Sequence, residues 1–410
     1  MLKAEIICVG NELLNGKTVD TNSSLIGRKL AKIGVTVRHK STVGDNVNEI
    51  AQAVKQSWNR SSIILVTGGL GSTKDDITKA GVAKALGLKM AFYPQVESSI
   101  NRFFKKLHRE TPPSCLDQAV LPEGSLPLTN SWGTAPGIYL KKKGKRLFLL
   151  PGVPNESANI LTFRVLPLLS QEIGILGINK RPAFEINIFG IGESKIQEAL
   201  EGFSLPPEIE ISYLPHMGNV KLVLSGNVEK PMLLSCSRKI QRLFSDNVFS
   251  RGSISLEEAL GRILKQKKHQ LAVAESCTGG LLASQMVNVA GASAYFLGGV
   301  IAYSNQAKVK FLGLSKGLLE KHGAVSIPVA EAMAAGAAKK FSCHCGIAIT
   351  GVAGPSGGTK EKPPGHVCIA SYSGKTMKSA AFQFYGDRFM IRQQAVSNAL
   401  FQMFSLLKNK

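Results

Sequence analysis

The sequence has no apolar run long enough to cross a bilayer. Stretches such as Ser62–Val66 and Leu147–Leu150 fall far short of the roughly 20 residues that a spanning helix needs. The start, Met1-Leu2-Lys3-Ala4-Glu5, passes straight into the strand-like run Ile6–Val9, without the charged start, apolar stretch and cleavage site of a secretory leader. A cytoplasmic location with no membrane partner is expected. Paired cysteines are also lacking: seven are scattered along the chain, which suits reduced thiols. Cys343-His344-Cys345 is too tightly spaced for a zinc knuckle and has no second pair nearby, so strand entry is the plain reading. None of His269, His322, His344 and His366 sits beside a carboxylate in a triad-like setting. Acidic residues are scarce, 28 against 50 lysines and arginines, for a net charge of +22. Such a field attracts phosphate groups. The basic residues are spread out, however. Their densest cluster, Lys141 to Arg146, reads as a hairpin turn between Gly137–Leu140 and Leu147–Leu150, so nucleic acid is not the expected partner.

What is present is material for two or three packed domains: 410 residues, 44% apolar and 19% charged. Residues 1–170 alternate strands and helices. Ile6–Val9, Val35–Ser41 and Ile63–Thr67 read as strands; Asp20–Ile33, Val47–Trp58 and Asp76–Leu86 read as helices. That rhythm predicts an α/β domain with a parallel, doubly wound sheet. Residues 181–250 read as a small α+β connector, with strands Ala183–Phe189, Glu210–Tyr213 and Asn219–Ser225 and helices Glu193–Leu200 and Pro231–Phe244. Residues 251–255 read as a linker. Residues 256–410 form a second, separate α/β domain, with strands Leu271–Ala274, Gly299–Tyr303, Gly346–Thr350, Val367–Tyr372 and Ser379–Phe384.

Three segments of this last domain leave the carboxyl ends of strands, where open α/β sheets bind ligands. Glu275-Ser276-Cys277-Thr278-Gly279-Gly280 joins a strand to a helix. Its glycines let backbone N–H groups converge on an anion. Alone it suits a capping serine in a tight turn equally well. Thr350-Gly351-Val352-Ala353-Gly354-Pro355-Ser356-Gly357-Gly358 follows another strand, and its glycines suit close approach of a phosphate or oxyanion. Tyr303 ends a third strand, and Lys308 lies one turn into a helix if Asn305 opens it. A serine nucleophile needs a base, and a buried lysine working with a tyrosine serves where histidine is absent.

In the first domain, Gly10-Asn11-Glu12 follows the first strand. Gly68-Gly69-Leu70-Gly71-Ser72-Thr73 follows a later one and suits a phosphate cradle. Asp75 and Asp76 beside it suit a divalent cation, or equally the first turn of a helix. Neither a Walker loop nor a Rossmann fingerprint is present.

These motifs together resemble the CinA family of competence/damage-inducible proteins. In the C-terminal domain the resemblance rests on Ala274–Gly280, Phe296–Asn305, Lys308, His322–Ser326, Thr350–Gly358, Lys362-Pro363 and Gly386-Asp387-Arg388. It implies a nicotinamide-nucleotide amidohydrolase that converts nicotinamide mononucleotide to nicotinate mononucleotide and ammonia without a metal. Ser276 would be the nucleophile, and Tyr303 and Lys308 would transfer protons. Thr278, Gly279, Gly280, Thr350, Gly351 and Gly354 would serve the substrate or oxyanion, Arg388 would meet the phosphate, and Glu275 would help shape the substrate pocket. In the N-terminal domain Asp20–Ser23, Val43–Asn46, Gly133–Gly137 and Leu150–Pro154 complete a pattern similar to the family's molybdopterin-binding-like domain. That implies a pyrophosphatase cleaving ADP-ribose to AMP and ribose 5-phosphate, dependent on Co, Mn or Mg, with Asp45 and Asp76 as the best candidates for metal or catalytic work. Ser72 stands where the family usually has proline. The connector resembles the family's KH-type block. The resemblance also makes a homodimer the expected assembly.

Overall fold

The computed structural model describes residues 3–175, 182–216, 218–226 and 228–408. The chain divides into two compact units, residues 1–180 and 181–410.

The first unit is built on a six-stranded sheet. Its order is Thr36–Val43, Lys3–Val9, Ile63–Thr67, Lys145–Leu150, Gly137–Lys142, Leu126–Leu128. The first four strands run parallel; Gly137–Lys142 runs against them, and Leu126–Leu128 pairs antiparallel with Gly137–Lys142. Every residue of Ile63–Thr67 is buried, as two helix-covered faces require. Alternate side chains feed two cores. Ala4, Ile6 and Cys8 meet Ile26 and Leu30 of helix Thr21–Lys32; Ile7, Val9, Ile64 and Val66 meet Ile50 and Val54 of helix Val47–Arg60. Asp20 caps the first helix by accepting from the Ser23 N–H, and Asn46 caps the second from Asn48 and Glu49. The basic cluster is a hairpin turn as expected: Lys143 (φ 49°) and Gly144 (φ 73°) take the left-handed conformations that a two-residue hairpin loop needs. One helix starts later than its sequence suggests, at Thr78 instead of Asp76. The Asp76 carboxylate turns back to accept the Thr73 N–H (2.9 Å) and hydroxyl (2.6 Å), so it belongs to the glycine turn.

The second unit holds two sheets. The connector strands form an antiparallel sheet in the order Ile209–His216, Asn219–Gly226, Ala183–Phe189, Val248–Arg251. Helices Glu193–Glu201 and Lys230–Leu243 pack on it through Ile196, Leu200, Leu233 and Ile240. Strand Val248–Arg251 lies partly inside the expected linker; four residues carry too little alternation to announce a strand. Phe189 and Phe249 belong to the core of the C-terminal domain instead, and Phe189 stacks on Phe401 at 4.5 Å. The connector is therefore one compact body with that domain.

The C-terminal sheet runs Phe296–Ile301, Leu271–Glu275, Cys345–Gly351, His366–Ser373, Thr376–Gln383; the first three are parallel, His366–Ser373 runs against them, and Thr376–Gln383 pairs antiparallel with His366–Ser373. Helices Leu256–Lys267 and Arg388–Lys408 cover one face with Leu260, Leu264, Leu400 and Met403. Helix Ile327–Lys340 covers the other over small residues, Ala272, Ala274 and Ala348. It comes so close that a Cβ on Gly346 would lie 2.0 Å from the Ala334 carbonyl. The edge strand is Phe296–Ile301, three residues earlier than the expected Gly299–Tyr303. A Cβ on Gly299 would strike Val273, so glycine is what lets this edge close up. Tyr303 thus lies beyond the strand end. Cys343 donates its thiol to the Cys345 carbonyl, and His344 stacks on His269 at 4.9 Å. Among the described residues no group of three or more His, Cys, Asp or Glu is arranged to hold a metal, and no helix is long and apolar enough to cross a membrane.

Candidate active site

Strand Leu271–Glu275 ends in a carboxylate with almost no exposure. The Glu275 side chain accepts the N–H groups of Gly280 (3.0 Å), Leu282 (3.0 Å) and Ala283 (2.8 Å). It therefore caps helix Leu281–Val287 from inside, and the segment 276–280 wraps around it. The helix amides that the sequence offered to a ligand anion are answered by the protein's own carboxylate. Gly279 (φ 59°) and Gly280 (φ 96°) complete the wrap in left-handed conformations.

Ser276 sits at the crest of this wrap, its N–H held by the Ile349 carbonyl at 2.9 Å. Lys308 reaches it from a different element. The Ser304 hydroxyl caps helix Asn305–Leu312, and Lys308 lies one turn in, 2% exposed. Its Nζ is 3.2 Å from Ser276 Oγ, 2.9 Å from the Ala302 carbonyl and 3.2 Å from the Tyr303 carbonyl. Burial pulls the Lys308 pKa below the ordinary lysine value. The structure thus brings Ser276 and Lys308 together across 32 residues of sequence. The Tyr303 phenol is not part of that contact. It is 65% exposed, and among the described residues it has no hydrogen-bond partner; only its main-chain oxygen touches Lys308. Cys277, next to Ser276, is pushed up to about 11 by burial, so at neutral pH it is a thiol and a poor nucleophile.

Around this pair several donors stand free. Among the described residues the N–H groups of Cys277 and Thr278 have no protein acceptor, and the fully buried Thr278 hydroxyl has no partner. Thr350, also fully buried, donates its hydroxyl to the Ala324 carbonyl at 2.8 Å and pins the start of the second glycine loop. Arg388 donates to the Gly354 carbonyl of that loop at 2.8 Å. Arg392, one helical turn on, donates to the Thr278 carbonyl at 2.6 Å, and its Nε is buried without a partner. Arg392 was not singled out from the sequence. Its signal there was the four-residue spacing from Arg388, which puts both guanidiniums on one face of the helix. Gly351 closes on strand His366–Ser373, where a Cβ would meet Val367.

In the first unit Gly68 lies against strand Lys3–Val9, where a Cβ would sit 2.2 Å from the Val9 carbonyl. Gly69 packs as closely on Thr78, whose hydroxyl donates to the Gly68 carbonyl at 2.8 Å. Among the described residues the N–H groups of Gly69, Leu70, Gly71 and Ser72 meet no protein acceptor, while that of Thr73 is used by Asp76. The Gly10 N–H bonds the Val43 carbonyl, and the Asn11 N–H donates to Asp45 Oδ2 at 2.9 Å. Glu12 folds back over Gly10. Asp45 and Asp76 each keep one carboxylate oxygen free of hydrogen bonds among the described residues, and Asp75 flanks them in sequence. This donor set is no protein-only cage. It fits the sparse pattern of one or two carboxylates with which a Mg²⁺-like ion is held beside phosphates. Lys79 went unnoticed in the sequence: burial pushes it down to about 8, and it donates to the Asp117 carbonyl at 2.8 Å.

Two α/β units, each carrying glycine loops at the carboxyl ends of parallel strands, define a two-domain α/β architecture. The family models match in the same order: a probable molybdopterin binding domain over residues 5–171 and a CinA C-terminal domain over residues 253–407. A putative competence-damage inducible protein of Clostridium kluyveri is 38% identical over 407 residues, 97% of this chain and 98% of that one. A CinA-like protein of Kosmotoga olearia is 39% identical over 409 residues, 97% of each chain. A solved CinA structure from Thermoplasma acidophilum is 35% identical, with a TM-score of 0.38, over 42% of this chain and 97% of that one. The chain belongs to the CinA family.

The Glu275 cap generates a direct test. Glu275→Ala leaves three N–H groups without an acceptor in a buried place, so it lowers stability by about 3 kcal/mol. Denaturant unfolding followed by circular dichroism measures this. A midpoint equal to that of the parent protein contradicts the assignment.

Proposed function

We propose that the C-terminal domain hydrolyses the carboxamide of nicotinamide mononucleotide, with Ser276 as nucleophile and Lys308 as its base. The observation that carries this reading is the 3.2 Å contact between Lys308 Nζ and Ser276 Oγ in a site where burial favours the neutral amine. Neutral Lys308 takes the Ser276 proton as Oγ attacks the amide carbon. The oxyanion forms against the free N–H groups of Cys277 and Thr278. Collapse of the tetrahedral adduct breaks the C–N bond, and Lys308 returns the proton to the departing ammonia. Water then attacks the acyl-serine, Lys308 again serving as base, and nicotinate mononucleotide leaves. The Tyr303 phenol would join the proton path once substrate covers it. Arg388 and Arg392 bring positive charge to the two glycine loops, where the substrate phosphate would be drawn. The apolar edge around Leu297 and Ile301, 39% and 58% exposed, would be covered by a second copy in a cytoplasmic homodimer.

Ser276→Ala and Lys308→Met each lower kcat/KM for ammonia release by about a thousandfold or more, and Tyr303→Phe by about tenfold. The parent activity rises with pH, because the ammonium form of Lys308 cannot accept a proton and is lost as pH passes its lowered pKa. A Ser276→Ala enzyme with most of its activity, or a rate that falls across that rise, overturns the assignment.

For the N-terminal unit we propose metal-dependent cleavage of ADP-ribose to AMP and ribose 5-phosphate. The supporting observation is the run of unanswered N–H groups from Gly69 to Ser72 beside Asp76. These amides would hold the pyrophosphate, and Asp45 and Asp76 would hold the divalent cation, which neutralises its charge. Asp76→Ala abolishes metal-stimulated AMP formation while ammonia release from nicotinamide mononucleotide is unchanged. Loss of both together contradicts the division of labour, as does AMP formation that survives in the variant.

A further inference from the structure

Away from the catalytic loops, the second unit contains a cavity of about 800 Å³. It is walled by the connector helix Lys230–Leu243 and strand Val248–Arg251 on one side, and by helices Leu256–Lys267 and Arg388–Lys408 on the other. Among the described residues no acidic side chain lines it, whereas Arg238, Arg242, Arg251, Arg262 and Lys408 all do. Two of these cations are already engaged. Arg262 pairs with Glu258 at 2.8 Å, and Lys408 donates to the Ser245 and Val248 carbonyls, holding the end of the 388–408 helix to the connector. The guanidiniums of Arg238, Arg242 and Arg251 are exposed, and among the described residues none has a hydrogen bond or an ion pair. Arg238 and Arg242 stand one helical turn apart, where like charges repel. Three unanswered guanidiniums around one concavity amount to a standing anion deficit. The floor beneath them is apolar and aromatic: Phe249 and Phe404 are 6% and 5% exposed, with half-buried Ile254 beside them.

We infer that this cavity is a second, non-catalytic binding site for a nucleoside di- or triphosphate. Guanidinium forks match phosphoryl oxygens in geometry and charge. A flat base with one apolar face suits the Phe249–Ile254–Phe404 floor. The volume falls within the range of pockets that take small ligands, while single-stranded nucleic acid is met by grooves that track a backbone. The site is independent of the amidohydrolase reading, since none of these residues touches the Ser276 loop. A ligand here would bridge the connector and the catalytic domain.

The test uses the full-length chain at moderate salt. ATP, inorganic tripolyphosphate and a short thymidine oligonucleotide are titrated by calorimetry, and the bound site is located by hydrogen–deuterium exchange. ATP is expected to slow exchange across residues 238–251. The double variant Arg238→Glu/Arg242→Glu is expected to lose that protection and about tenfold or more of the affinity assigned to it, with ammonia release from nicotinamide mononucleotide unchanged. Protection confined to other segments, or undiminished in the variant, overturns the site. Tripolyphosphate binding as tightly as ATP overturns the nucleoside part of the claim. An oligonucleotide that binds there more tightly than ATP makes it a nucleic-acid site instead.

Discussion

A lysine amine buried among two main-chain carbonyls and one serine hydroxyl sets the terms for everything around it. Lys308 is almost fully buried and has no carboxylate within ion-pairing distance among the described residues. An ammonium ion in such a place is costly, so burial lowers the Lys308 pKa from the ordinary lysine value. The three acceptors fix where that amine points. Two of them, the carbonyls of Ala302 and Tyr303, come from the segment just after the edge strand, and the third comes from the neighbouring strand's loop. The parallel pairing of these two strands is what holds the Lys308 amine and the Ser276 hydroxyl in register.

The opposite wall depends on a second buried charge with a different solution. Glu275 is as buried as Lys308, yet it is answered by three backbone N–H groups of one helix. That cap ties the Ser276 loop to the start of the helix. Among the described residues the N–H groups of Cys277 and Thr278 have no protein acceptor. The helix Arg388–Lys408 then serves both ends of the unit. Its first turns tether the two glycine loops through Arg388 and Arg392, and its last turn binds the connector through Lys408.

Much of this was legible in the sequence, for identifiable reasons. Strand Leu271–Glu275 and the turn after it announce themselves through a short apolar run followed by small residues and glycines. Asn305 opens a helix with Lys308 one turn in, as its position after Ser304 suggests. What could not be read was contact between distant segments. Nothing local says that Glu275 turns inward to cap a helix; an acid beside a serine looks equally like a pocket wall. The sequence puts the edge strand three residues too late, at Gly299–Tyr303, whereas it is Phe296–Ile301, with Gly298 and Gly299 allowing close approach to Phe341 and Val273. That error carried Tyr303 into the strand, whereas its phenol stands exposed beyond it. Asp76 was read as the first residue of a helix because acids favour that position, but its carboxylate closes the turn one step earlier. Helix Lys316–His322, too short to show a clear period, was missed.

The proposed hydrolysis requires a covalent bond between substrate and Ser276. Mixing the enzyme with nicotinamide mononucleotide, quenching in acid within the first turnovers and mapping the peptides by mass spectrometry tests it directly. The predicted result is a nicotinoyl-mononucleotide ester on the peptide that contains Ser276, absent when Ser276 is alanine. An adduct on Cys277 or another residue would contradict it, as would rapid ammonia release with no adduct at any time.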